Sequence, residues 1–84
     1  MQSATDLPEG SRKINATQVY FTFQEELKFR CCEFSAKPGQ TAWIRSQPSP
    51  NRYLIEMGNG GFHKVKASAF RRCTGTQGKD IILP

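Results

Sequence analysis

The chain has 84 residues and a formal net charge of +5, with 37% hydrophobic and 23% charged residues. This length allows one domain at most, and the composition is typical of a globular rather than a disordered protein. No stretch approaches the ~18 consecutive apolar residues of a membrane-spanning helix, and the first residues lack the basic and apolar regions of a signal peptide, so we expect a cytoplasmic protein without a membrane partner.

The first half of the chain divides into a polar arm and a strongly patterned segment. Residues 1–13 are polar and show no hydrophobic period, which indicates a flexible arm ahead of a single domain at 14–84. Between 19 and 31 every second residue is apolar except Glu25. This period of two predicts a strand with one buried face, and a helix fits the pattern less well. The break at Glu25 indicates either a bulge or a tight turn that folds the segment into a hairpin.

Turn signals then separate three further strands. Pro38-Gly39 predicts a turn that leads into a short strand at 41–45. The prolines in 47–51 predict a loop, because they remove backbone donors from any central strand. A strand at 52–57 follows, and Asn59-Gly60 predicts a type I′ hairpin turn that pairs it with a strand at 62–66.

The last part of the chain has weaker signals. Residues 67–69 favour one helical turn, 70–73 a final short strand and 74–79 a loop. The apolar run Ile81-Ile82-Leu83 predicts either an extra strand or a docking tail.

The cysteines and the single histidine do not form a chemical motif. An odd count of three cysteines (Cys31, Cys32 and Cys73) argues against a disulfide framework, and we expect reduced thiols with at least one buried. Their spacing relative to His63 is not that of a zinc site. No phosphate-binding glycine loop and no pair of converging carboxylates is present, so we expect a protein that is not an enzyme and has no cofactor or metal. A small enzyme whose site is assembled by oligomerisation is the least favoured alternative.

Four short motifs suggest an architecture. They are a Pro-Gly turn that leads into a strand within 37–44, a Tyr-Leu-Ile-Glu strand at 52–57, the Asn-Gly turn at 59–61, and Val-x-x-Ser-x-Phe-Arg at 65–71. Together they resemble a small SH3-like barrel of the Tudor or KOW kind, in which leucine is usual at the place of Phe70.

The resemblance spans residues 37–73 and implies a mostly β protein, with the first half supplying an additional strand or hairpin. An OB-like five-stranded barrel is the second choice. Barrels of the SH3-like kind bind nucleic acids, methylated or proline-rich peptides, or other subunits, so the resemblance informs the fold more than the function.

Charge is distributed unevenly along the chain. Residues 1–42 carry five basic and five acidic side chains, whereas 43–84 carry seven basic and two acidic ones. Trp43 is expected in the core, and His63 on a wet surface. Cations alternating with aromatic residues on short strands suit an acidic polymer. The candidate nucleic-acid-binding residues are Arg45, Arg52, Tyr53, Phe62, Lys64, Lys66, Arg71 and Arg72.

These observations predict a small accessory or regulatory protein that binds DNA or RNA by neutralising phosphates, with aromatic side chains stacked on bases. Lys64 and Lys66 are two residues apart on a strand, so they should project from the same face as Phe62. The alternative is a protein-interaction module or inhibitor that binds an acidic surface of a larger protein, or a homo-oligomer formed through an uncovered sheet edge.

Overall fold

The computed structural model describes residues 14–30 and 33–83, which form a mostly β structure with one α-helix. Four short strands come first, followed by three longer ones, the helix and a last short strand. In chain order they are β1 (Ile14–Asn15), β2 (Phe21–Thr22), β3 (Leu27–Lys28), β4 (Ser35–Ala36), β5 (Thr41–Ser49), β6 (Arg52–Met57), β7 (Phe62–Lys66), α1 (Ala67–Thr74) and β8 (Ile81–Ile82).

The strands form three separate sheets. The largest is antiparallel, with the order β2-β5-β6-β7, and two small sheets pair β3 with β4 and β1 with β8. Strands β1 and β8 pair in parallel. Of the two alternatives predicted for the apolar run at 81–83, an extra strand or a docking tail, the structure shows the extra strand. The predicted arm at 1–13 lies outside the described residues. The mostly β prediction is confirmed at this level, whereas barrel closure stays a prediction.

The core lies on one face of the large sheet, which we call the inner face. Tyr53, Ile55 and Met57 of β6 point into it, as do their neighbours across the sheet. The helix α1 covers this face, with Phe70 packed edge-on against Phe21, Phe23 and Tyr53 at ring-centroid distances of 5.5 to 5.7 Å. Alternation along each strand therefore leaves the opposite face, which we call the outer face, outside the core.

The helix α1 corrects the prediction of a final strand at 70–73. Ala67, Phe70, Cys73 and Thr74 are buried, which is the i, i+3, i+4 spacing of a helix face rather than the alternation of a strand. The helix ends at Gly75, whose φ of 74° lets its N–H reach the carbonyl of Arg71. Cys73 is a free, buried thiol, as predicted for at least one cysteine, whereas Cys31 and Cys32 lie outside the described residues.

The alternating segment at 19–31 breaks close to Glu25, as predicted, but neither as one strand nor as a hairpin. Strands β2 and β3 belong to different sheets, so they do not pair with each other. At the break, the N–H groups of Gln24 and Glu25 donate to the carbonyl of Cys73 at the end of α1, at 2.7 and 3.2 Å. The predicted alternation holds on both sides of the break, because Phe21, Phe23, Leu27 and Phe29 are all buried.

The turn at Pro38-Gly39 is confirmed, since Gln40 N–H donates to the Lys37 carbonyl at 3.0 Å and Gly39 has a φ of 93°. The second turn differs from the predicted two-residue type I′ turn. Gly60 N–H donates to the Met57 carbonyl, so the turn is centred one residue earlier, on Gly58 and Asn59. Gly60 then takes a φ of 102° as the bulged residue that returns the chain to the ladder.

Strand β5 is longer than the predicted 41–45 and runs through Pro48 into the predicted loop. Pairing with β6 becomes irregular there, with register shifts between Ile44 and Ser46 and again between Ser46 and Ser49. A proline is compatible with such irregular pairing because the missing N–H falls outside the regular ladder. The predicted loop at 47–51 is therefore in part an extended strand, but one that pairs irregularly with β6.

Candidate functional site

The outer face of β5, β6 and β7 brings together five of the eight predicted site residues. The register places Arg52 opposite Lys66, and Leu54 opposite Lys64. Phe62 lies beside Lys64 on the same face of β7, and both side chains are exposed. The prediction that Lys64 and Lys66 share a face with Phe62 is therefore confirmed.

Three cations on this face have no ion-pair partner within residues 14–30 and 33–83. They are Arg52, Lys64 and Lys66, and none of them donates a side-chain hydrogen bond to another described residue. With Arg45 and the single carboxylate Glu56, the outer face of the three strands carries a balance of +3. Unpaired cations on one surface remain available to neutralise an anionic partner.

Arg45 also lies on the outer face, but its guanidinium is already engaged. Nε donates to Glu56 Oε1 at 2.8 Å, and a terminal nitrogen donates to the Thr17 carbonyl at 2.7 Å. The guanidinium carbon lies 4.2 Å from the centre of the Trp43 ring, within the range of a cation–π contact. Arg45 is therefore better suited to holding the outer face together than to contacting a ligand.

Exposed aromatic rings lie towards both edges of the large sheet. Phe62 on β7 is 56% exposed, and Tyr20, which stacks on Trp43 with ring centroids 4.1 Å apart, is 53% exposed. The prediction of Trp43 as a core residue is wrong, because the core positions of β5 are its neighbours Ala42 and Ile44. Trp43 instead lies half-buried on the outer face between Tyr20 and Arg45.

The other predicted site residues lie on the inner side of the sheet. Tyr53 is only 3% exposed, so it does not offer the ring face that base stacking requires. Its hydroxyl accepts a hydrogen bond at 3.0 Å from Arg71, whose helix α1 packs on the inner face. Arg72 is exposed on the same helix. The sheet therefore separates Arg71 and Arg72 from Arg52, Lys64 and Lys66.

His63 corrects the prediction of a wet surface position. Its ring is half-buried and stacks on Phe29, with centroids 3.8 Å apart and planes 12° from parallel. Its Nδ1 is buried without a hydrogen-bond partner. Burial lowers the pKa of His63 below its usual value, because the imidazolium form loses hydration.

One basic residue of the site is missing from the sequence prediction. Arg30 follows β3 and lines a depression of about 460 Å³ at the edge of β7. The other lining residues are Arg52, Leu54, Phe62, His63 and Lys64. Arg30 belongs to the half of the chain whose charges cancel, so the charge count did not select it. The stacking of its neighbour Phe29 on His63 is a tertiary contact with no local sequence signal.

The described residues contain no group of three or more His, Cys, Asp or Glu side chains that could hold a metal ion. Within the same residues, no helix has the length and apolarity needed to cross a membrane.

No protein-family model, no curated protein and no solved structure matches this chain. Any function must therefore be argued from the charges, rings and hydrogen bonds of the outer face itself.

Proposed function

We propose that this protein binds nucleic acid through the outer face of β5, β6 and β7, in an accessory or regulatory role and without catalysing a reaction. The observation that carries this proposal is the cluster of Arg52, Lys64 and Lys66 around the exposed ring of Phe62, with no ion-pair partner for the three cations among the described residues. Phosphates supply the missing negative charge, and bases have faces that stack on an aromatic ring.

The binding energy in this proposal comes mainly from phosphate neutralisation. Each cation that replaces condensed counterions on the nucleic acid adds to the salt dependence of binding. The outer face offers two ammonium groups and the unengaged guanidinium of Arg52 on regular strands, and these contact phosphates without reading a base sequence. We therefore expect binding with little sequence preference.

The helix α1 does not take part in this mechanism. It has eight residues, and Ala67, Phe70, Cys73 and Thr74 are buried against the core. A helix that enters a DNA groove must present a row of exposed side chains to the base edges. The sheet surface is therefore the binding element of the proposal.

The decisive experiment reverses two charges on the outer face. We expect Lys64→Glu together with Lys66→Glu to weaken binding of single- and double-stranded oligonucleotides by at least about 10-fold near 50 mM salt, because two phosphate contacts become repulsive. For the unaltered protein, three cations predict an affinity loss of about 20- to 40-fold between about 50 and 200 mM salt. Fluorescence anisotropy with labelled oligonucleotides measures both effects.

A matched control reverses two cations that lie off this face. Lys28 is exposed on β3 and Arg72 on α1, so Lys28→Glu together with Arg72→Glu produces the same change in net charge. We expect this control to retain most of the affinity. Equal binding by the outer-face variant and the unaltered protein would refute the proposal.

The edge of β7 supports a second candidate, an acidic protein partner. The Met57 N–H donates to the Gly61 carbonyl, and hydrogen-bonded pairs alternate with non-hydrogen-bonded pairs along an antiparallel ladder. Phe62 and Lys64 therefore fall at non-hydrogen-bonded positions, where their backbone N–H and C=O groups point away from β6. No described residue pairs with them in a sheet. An extended acidic segment could add there as a further strand. Shifts of the Phe62 and Lys64 amide resonances with an alternating Glu-Val peptide, but not with oligonucleotides, would favour this candidate.

The SH3-like arrangement is part of the same proposal. The consecutive strands β5, β6 and β7 with the two intervening turns support it, and α1 occupies the place of the expected helical turn. A second copy is a less favourable occupant of the β7 edge, because antiparallel self-pairing would bring the cations of β7 close to one another. Size-exclusion chromatography in the binding buffer tests for such an oligomer.

A further inference from the structure

The depression beside β7 combines an aromatic ring, an aliphatic side chain and three cations. Phe62 and Leu54 supply its apolar surface, and Arg30, Arg52 and Lys64 supply the positive charge. Its volume of about 460 Å³ lies within the ~300–1,000 Å³ range of small-ligand sites. None of the acidic side chains within residues 14–30 and 33–83 lines it.

The strands hold the apolar part of the depression in place. Leu54 lies opposite Lys64 in the ladder, and Phe62 is two residues from Lys64 on the same face. Arg52 has the same relation to Leu54 on β6. Neighbouring strands are about 4.8 Å apart, so these four side chains occupy an area comparable to one nucleotide.

Arg30 reaches the depression from the segment that follows β3, a strand outside the large sheet. The preceding residue, Phe29, is buried and stacks on His63 of β7 at 3.8 Å, which brings the end of β3 to the edge of the large sheet. Arg30 itself is exposed, and it makes no ion pair with another described residue. The depression thus draws its cations from two parts of the fold, the segment that follows β3 and the strands β6 and β7.

We propose that this depression is a subsite for one unpaired nucleotide, so that the protein prefers single-stranded nucleic acid. The base lies against Phe62 and Leu54, while Arg30 contacts one flanking phosphate and Arg52 and Lys64 contact the other. This inference rests on the proposed nucleic-acid function and specifies its substrate class. It also adds Arg30 as a binding residue.

The preference for a single strand follows from the role of the Phe62 ring. In a duplex both faces of each base are covered by neighbouring base pairs, so the ring has no base to stack on unless the duplex opens. In a single strand every base can present a face, and stacking of one base on an aromatic side chain is sequence-tolerant. Duplex binding then uses only the cations.

The test compares two substitutions on two forms of the same sequence. We expect Phe62→Ala to weaken binding of an oligothymidylate of about twelve nucleotides by about 5- to 150-fold, the range found for loss of one base–aromatic stack. Binding of a duplex of equal length should change less than about 2-fold. We expect Arg30→Ala to weaken binding of the single strand by about 3- to 10-fold and to lower the magnitude of its salt slope by roughly 0.7.

Arg72→Ala is the matched control for Arg30, because it removes the same group from the helix on the inner side of the sheet. It should leave the affinity for the single strand within about 2-fold of the unaltered protein. Photocrosslinking to an oligonucleotide containing 5-iodouracil, mapped by mass spectrometry, should place the crosslink on Phe62.

The outcomes separate this inference from the proposed function. Normal binding of single strands by Phe62→Ala and Arg30→Ala, with loss of binding in the Lys64→Glu, Lys66→Glu variant, would overturn the nucleotide subsite and keep nucleic-acid binding. Normal binding by all of these variants would overturn both. Equal affinity for single strand and duplex in the unaltered protein would also overturn the subsite.

Discussion

The two faces of β5, β6 and β7 are formed by alternate residues of the same strands, but they differ in burial. Apart from the half-buried His63, the residues of the regular pairing that point to the inner face are buried almost completely, whereas their neighbours one position along the chain are half-buried or exposed. The inner set is Ala42, Ile44, Tyr53, Ile55, Met57 and Val65. Because a strand alternates its side chains, stability and binding are carried by different residues of the same three strands. The two properties should therefore respond to different substitutions.

Aromatic side chains show the contrast most clearly. On the inner side, Phe70 lies at the centre of three edge-to-face contacts and is fully buried. On the outer face, Phe62 has no ring partner among the described residues and more than half of its surface meets solvent. Edge-to-face packing of buried rings stabilises a core. An exposed ring contributes little to folding and remains free to contact a ligand.

The largest effect is expected when the same substitution is made on the two sides of the sheet. Phe70→Ala should lower the free energy of unfolding by about 3–5 kcal/mol, because it removes a fully buried ring and leaves a cavity. Phe62→Ala should change it by no more than about 0.5 kcal/mol. Urea denaturation followed by the fluorescence of the single tryptophan, Trp43, measures both values.

A chain of 84 residues has a small stability margin, so Phe70→Ala can unfold the protein outright. Phe70→Leu keeps most of the volume and should be milder, and it supplies a measurable value in that case. A loss of several kcal/mol for Phe62→Ala would contradict the separation of the two faces, because the exposed ring would then be part of the core.

The next largest effect is expected for Tyr53→Phe, a substitution that tests whether Tyr53 contributes to the core but not to binding. Tyr53→Phe removes the hydroxyl that accepts a hydrogen bond from Arg71, and we expect a loss of about 0.5–1.5 kcal/mol in unfolding free energy. Because the ring stays on the inner face, affinity for oligonucleotides should not change. A weaker affinity in Tyr53→Phe at unchanged stability would return Tyr53 to the binding site that the sequence predicted.

Local patterns in the sequence predicted much of the sheet correctly. The alternation on either side of Glu25 identified buried residues in both β2 and β3, and the spacing of Lys64 and Lys66 identified the exposed face of β7. The Pro38-Gly39 turn was also predictable, because only a few residue types suit its backbone angles. Such features depend on neighbours along the chain, which are visible in a sequence.

Features that depend on packing were missed or assigned to the wrong face. The position of Trp43 at a strand centre beside Ile44 predicts a core residue, but the register of β5 directs it outward. The local pattern predicts a helical turn at 67–69 and a strand at 70–73, whereas packing against the sheet makes 67–74 one helix. Arg30 gained its place in the candidate site through contacts of Phe29, which no local pattern indicates.

The smallest predicted effect concerns the only carboxylate that the three strands place on the outer face. Glu56 neutralises Arg45 through a contact of 2.8 Å between Nε and Oε1. Glu56→Gln removes the negative charge, while the amide oxygen can still accept the hydrogen bond. The outer face then gains one unit of positive charge. We expect oligonucleotide affinity to rise about 2- to 5-fold near 50 mM salt, with a salt slope steeper by up to about 1.

Glu25→Gln is the appropriate control for this gain. Glu25 is exposed at the break between β2 and β3, where its N–H contacts the end of α1 on the inner side of the sheet, and the substitution changes the net charge by the same amount. A gain confined to Glu56→Gln would show that the local charge of the outer face governs binding. An equal gain in both variants would mean that net charge alone attracts the nucleic acid, and the two faces would then differ in packing but not in binding.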